Sequence, residues 1–137
     1  MSHASRNISR EAIPDRVNQV AKEVVDAAFK VHSSLGPGLL ESVYQACMVH
    51  ELRKRGLRVE PESPQPIVYD GIRLEEGYRL DLVVEQCVVV ELKAVETVLP
   101  VHKAQLLTYL KLSGYRLGLL INFNVPLIKD GIQRLVL

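Results

Sequence analysis

With 137 residues, 47% of them hydrophobic and 24% charged, the chain has the size and composition of one globular domain with a real core. It has no tryptophan and only 5% aromatic residues, which argues against a single-strand binder that stacks bases on aromatic platforms. A net charge of +1 and a pI near 7.8 argue against a strongly basic surface that grips nucleic acid everywhere, so any phosphate-binding surface must be local.

Residues 1–12 read as a short leader, and residues 13–137 as a single domain. Met1–Arg10 is polar without an apolar h-region, so no secretory signal is expected. No apolar stretch reaches the roughly 18 residues a membrane span requires. A first helix is predicted from Pro14, with Val17, Val20, Ala21, Val24, Ala28, Val31 and Leu35 at helical spacing, ending at Gly36-Pro37-Gly38. A second is predicted over Leu39–Arg55, with Leu40, Val43, Tyr44, Cys47 and Leu52 inward and Glu41 at the edge of that stripe. Gly56 closes it. The cluster Arg53, Lys54, Arg55 and Arg58 reads as a solvated helix end, where cations are favourably placed, rather than as a phosphate site.

Short extended segments follow at Leu57–Glu60, Gln65–Tyr69 and Ile72–Leu74, the last two joined by the turn signal Asp70-Gly71. Tyr78–Val84 and Cys87–Ala94 read as strands linked tightly through Glu85-Gln86, and the run Val88-Val89-Val90 suits a strand buried on both faces. A third helix is predicted from about Pro100 to Ser113, then a strand at Gly118–Ile121 and a last one at Ile132–Leu137. The order implies an α/β or α+β domain, a central mixed sheet flanked by helices. Cys47 and Cys87 sit in apolar runs without a metal or disulfide spacing and are expected as buried free thiols, which suits a cytoplasmic protein.

Three polar residues interrupt the most apolar strands: Asp81, and the pair Glu91 and Lys93. Glu91 and Lys93 share a strand face. Pairing of the two strands around Glu85-Gln86 brings Asp81 near Glu91. Two carboxylates, with the Leu92 backbone carbonyl as a third oxygen, form a ligand set for a hard cation such as Mg²⁺ or Mn²⁺. Such a cation acidifies a bound water and stabilises phosphoryl charge, and an adjacent lysine can orient that water. A plain cross-strand ion-pair cluster is the alternative. On the third helix His102, Gln105 and Tyr109 fall at i, i+3 and i+7, on one face, with Val101, Ala104, Leu107 and Leu110 as a neighbouring apolar face. His102 is a candidate phosphate contact. His32 is expected to pack at its helix end, and Tyr44 to lie in the core holding Glu41 in place.

Gly38-Leu39-Leu40-Glu41-Ser42-Val43-Tyr44 matches the signature of the GxxExxY proteins. So do Val31–Pro37, Tyr78–Val84, Val90–Val95 and Gly118–Phe123, in the family's order over residues 14–135. The chain therefore resembles that family, which is grouped with the PD-(D/E)xK nucleases. The resemblance implies a restriction-endonuclease-like core with magnesium at its centre. By the same likeness, Asp81 matches the first acid of the superfamily motif, and Glu91 and Lys93 match its (D/E)xK pair. Glu41 matches an extra helical acid of the metal shell, and Gln105 and Tyr109 the QxxxY pair of the exonuclease-like branch. Leu80 stands where the motif's name has proline. The implied activity is metal-dependent hydrolysis of phosphodiester bonds in DNA, less readily RNA, and so small a domain is expected to need a homodimer or partner protein for targeting. The alternative is an inactive relative serving as a nucleic-acid-binding or protein-interaction module.

Overall fold

The computed structural model describes residues 11–137; Met1–Arg10, the bulk of the expected leader, lies outside the described residues. Helix α1 (Asp15–Leu35) starts behind Pro14 and buries Val20, Ala21, Val24, Ala27, Ala28 and Val31. It stops at Gly36, whose φ of 73° a side chain would resist and whose N–H donates to the His32 carbonyl.

Helix α2 (Glu41–Lys54) begins later than its apolar pattern suggests. Leu40 is 73% exposed and Val43 37% exposed, against the expectation that both face inward. The buried stripe is Tyr44, Met48 and Leu52, spaced i, i+4 and i+8, so the helix is rotated away from the Leu40–Val43 side.

The extended pieces fuse into two long strands, β1 (Val59–Tyr69) and β2 (Ile72–Val84). Pro61, Pro64 and Pro66 break the sequence pattern, but β1 is the edge of the sheet, where a missing N–H costs little. The register slips by two residues, from Gln65↔Tyr78 to Ile67↔Leu74, and Gly77 lies in the slipped segment where any Cβ would collide with Ile67. Asp70 and Gly71 turn the hairpin with φ of 49° and 77°.

Strand β3 (Val88–Lys93) pairs antiparallel with β2 and parallel with β4 (Leu117–Asn122), the crossover being α3 (Pro100–Ser113). After a 3₁₀ turn at Ile128–Gly131, β5 (Ile132–Val136) closes the sheet antiparallel to β4. The order β1-β2-β3-β4-β5 is the expected mixed sheet.

Helices α1 and α2 cover one face, over Leu82, Val90, Leu92, Leu119 and Phe123. Helix α3 covers the other, over Leu80, Val83, Val89 and Leu120. Its inward residues are Leu106 and Leu110; Val101, Ala104 and Leu107 point outward, reversing the expected apolar face apart from Leu110. Apolar residues surround this helix, so periodicity alone does not pick the side that docks. Gly118 does: a Cβ there would meet the Leu106 side chain at 3.0–3.2 Å, so the bare backbone sets how closely α3 sits.

Candidate active site

The β2–β3 connection positions the acids. Glu85 and Gln86 both take positive φ, 51° and 54°, the geometry of a two-residue hairpin turn. The Glu85 carboxylate accepts the Arg58 N–H and pairs with the Arg16 guanidinium at 2.8 Å, locking the turn to β1 and α1. The resulting register joins Val84 to Val88 and Leu82 to Val90.

One step further, Asp81 faces Glu91, and there the backbone ladder gives way to side chains. The Asp81 N–H donates to Glu91 Oε2 at 2.8 Å. The Leu92 N–H donates to Asp81 Oδ2, also at 2.8 Å. Leu80 packs in the α3 layer and Leu82 in the opposite one, although alternate residues of a regular strand share a face. Strand β2 therefore rolls over at Asp81, opening the gap that the two carboxylates fill.

Glu91 is only 6% exposed. Burial first, then the neighbouring Asp81 carboxylate, pushes its pKa up to about 8. Burial likewise raises Asp81 to about 6, against the Leu92 hydrogen bond, with Glu41 and Glu62 adding to the rise. Lys93 acts in the other direction on both acids. Asp81 feels the charges of Glu41, Glu62 and Lys93, and Glu91 feels those of Asp81, Lys93 and Glu41. They do so at different ranges: among the described residues, no three acidic, histidine or cysteine side chains close into a cage of ligating dimensions. Asp81 and Glu91 meet directly, while Glu41 stands off as an exposed charge at the first turn of α2.

The surrounding frame is well tied. The Tyr44 hydroxyl donates to the Gly36 carbonyl at 2.6 Å and accepts the Leu39 N–H, while its ring stacks on Phe123 at 4.5 Å. This fully buried tyrosine fixes the turn from which Glu41 emerges. Lys93 is half-buried, and its carbonyl accepts the N–H of Phe123, the residue just after β4. A strand residue's N–H and C=O project toward the same neighbour. The Leu92 carbonyl therefore lies on the Asp81 side, as its N–H does.

Helix α3 brings Tyr109 to the acids, whose charges raise its pKa further after burial has raised it first. Its ring stacks on Tyr78 with centroids 4.7 Å apart. Gln105, one turn earlier, is exposed on the same side of the helix. His102 has part of its polar capacity committed: Nδ1 accepts the Leu99 N–H at 3.0 Å, capping the helix start.

Two residues near the site escape a reading of the sequence. Asn122 is buried, its Oδ1 accepting from the N–H groups of Val95 and Asn124 and its Nδ2 donating to the Val95 carbonyl. It clamps the chain where it leaves β3, just beyond Lys93. Glu62 is hidden among prolines, and only the β1–β2 register shows that it lies near Asp81. In the basic cluster, expected as a solvated helix end, Arg55 pairs with Glu51 and Glu23, and Arg53 donates to the Val59 carbonyl. His32 is buried with Nε2 2.8 Å from the Val125 carbonyl. Both thiols are free but half-buried rather than buried, because Cys47 flanks the α2 stripe and Cys87 directly follows a turn. Among the described residues no helix is long and apolar enough to cross a membrane.

The donor chemistry fits a hard divalent cation. The inner groups are all oxygens. Asp81 and Glu91 each spend one carboxylate oxygen on a backbone N–H, and their mutual repulsion is what a bound positive charge relieves. No curated protein and no solved structure matches the chain. A family model described as the PD-(D/E)XK nuclease superfamily matches it over residues 18–135.

Proposed function

Because this chain belongs to the PD-(D/E)XK nuclease superfamily, we propose that it is a metal-dependent nuclease acting through Asp81, Glu91 and Lys93. Its restriction-endonuclease-like mixed sheet supplies the frame. The observation that carries the reading is the opened β2–β3 ladder, where two carboxylates that disfavour each other's charge are held together beside an amine. A divalent cation bound there would acidify a water and stabilise charge on a phosphoryl oxygen.

Asp81 and Glu91 would hold such an ion, with the Leu92 carbonyl as neutral partner and Glu41 adding charge from α2. Lys93 orients the attacking water and offsets the charge that develops on the phosphate. Tyr109 and Gln105 align the scissile strand along α3, and the remaining His102 nitrogen is available to a phosphate. The substrate is DNA in preference to RNA, and the narrower kinship is with the GxxExxY proteins. So small and near-neutral a domain would draw on a second copy or a partner for targeting.

The test is cleavage of a mixed set of single- and double-stranded DNA and RNA with Mg²⁺ or Mn²⁺. The native chain cuts, chelator stops it, and Lys93→Ala slows it by about 10²- to 10³-fold while leaving the fold intact. Metal binding without cleavage of any substrate would instead favour an inactive binding module.

A further inference from the structure

Across the edge strand from Asp81 stands an acid that the motif does not account for. The register joins Pro61 to Leu82 and Ser63 to Leu80, so Glu62 lies opposite Asp81. Its φ of 50° is left-handed, a conformation in which a side chain is sterically disfavoured and which interrupts the ladder at this residue. Its Oε2 accepts a hydrogen bond from Gln45 Nε2 at 3.1 Å. Gln45 sits one turn beyond Glu41 on α2, so one helix face presents both Glu41 and the amide that holds Glu62. An exposed acid beside like charges would normally swing toward solvent or take a cationic partner. This one is held by a neutral amide from the same helix that carries Glu41.

We infer that Glu62, oriented by Gln45, is a further carboxylate of the cation site, on its solvent side. The inference rests on the metal-dependent reading above. Glu62 is too far out to complete a cage with the inner acids. Its part is to accept hydrogen bonds from the waters that a small divalent cation keeps, and to add one negative charge to the attraction. Gln45 is a positioning residue, acting through Glu62.

The experiment is calorimetric titration of the full chain with Mn²⁺, alongside metal-free melting. The proteins are the native chain, Glu62→Gln, the double swap Gln45→Glu with Glu62→Gln, and Asp81→Asn. Removing one unit charge from the solvated surroundings of a divalent ion weakens binding by about three- to tenfold, which is the loss expected of Glu62→Gln. Its metal-free melting temperature should equal or exceed that of the native chain, because a repulsive charge has gone. The swap keeps the hydrogen-bonded pair and the net charge, so it should recover most of the affinity.

Native-like Mn²⁺ affinity in Glu62→Gln, with Asp81→Asn unable to bind, overturns this inference and leaves the nuclease reading standing. A lower metal-free melting temperature in Glu62→Gln, restored by the swap without any change in affinity, also overturns it, by making the pair a structural tie. If the native chain binds no Mn²⁺, the metal-dependent reading and this inference fall together.

Discussion

Glu91 holds a proton in the folded chain that it would lose on unfolding. Its pKa rises from an ordinary 4.5 to about 8, through burial and the nearby Asp81. Between those values the unfolded state binds fewer protons than the folded one, so stability falls as pH rises through the window and levels off above it. Asp81, raised to about 6, adds to the lower part of the same fall. In chelator, the melting temperature should therefore decline from mildly acidic to mildly alkaline pH, and Glu91→Gln should flatten the decline. A slope equal to the native one in that variant would contradict the assignment. The affinity for the proposed metal should run the other way, strengthening with pH as protons leave its ligands. Lys93 is the counter-charge to both acids. Lys93→Ala should cut turnover by about 10²- to 10³-fold, the typical loss of one group that stabilises developing charge. Mn²⁺ binding in that variant should be retained or tightened, a combination that steady-state kinetics and calorimetry together can check.

Elements set those residues in place, and their contributions separate cleanly. Asn122 reaches from β4 to satisfy the Val95 N–H and C=O beyond β3. Asn122→Ala leaves these groups without their partner, at a cost of about 1–3 kcal/mol, to be read in denaturant melts. Gly118→Ala would push on Leu106 and lift α3 from the sheet. Overpacking of this kind costs about 1–3 kcal/mol, and displacement of Tyr109 should lower activity further than the stability loss explains. Activity unaltered in a destabilised Gly118→Ala would mean that the position of α3 does not matter to the chemistry.

The same elements mark where the sequence could be read. The Gly36-Pro37-Gly38 stop, the Asp70-Gly71 turn and the valine run of β3 are local signals, and each element forms where its signal lies. The length of β1 was hidden because Pro61 and Pro64 fall between the two expected segments, and a strand tolerates them there only because it is an edge. The docking side of α3 was hidden because it depends on Gly118, distant in sequence and silent in periodicity. The opposition of Asp81 and Glu91 followed from the short Glu85-Gln86 link, whereas Glu62 needs the β1–β2 register, which no local pattern carries.

At the scale of the molecule, two cores on opposite faces of one sheet hold the site between them. The α1–α2 layer carries Glu41 and, through Gln45, reaches Glu62, while the α3 layer carries Tyr109. A cation held at Asp81 and Glu91, as proposed, would favour the folded state, so saturating Mn²⁺ or Mg²⁺ should raise the melting temperature of the native chain, since a ligand that prefers the folded state stabilises it. Asp81→Asn should abolish that rise. The most direct measurement is a crystal structure of the native chain with Mn²⁺, read by anomalous scattering. The account predicts one strong peak between the Asp81 and Glu91 carboxylates, within coordination distance of the Leu92 carbonyl. A well-ordered structure at saturating Mn²⁺, with no peak there and the two acids still joined only to the backbone, would contradict it.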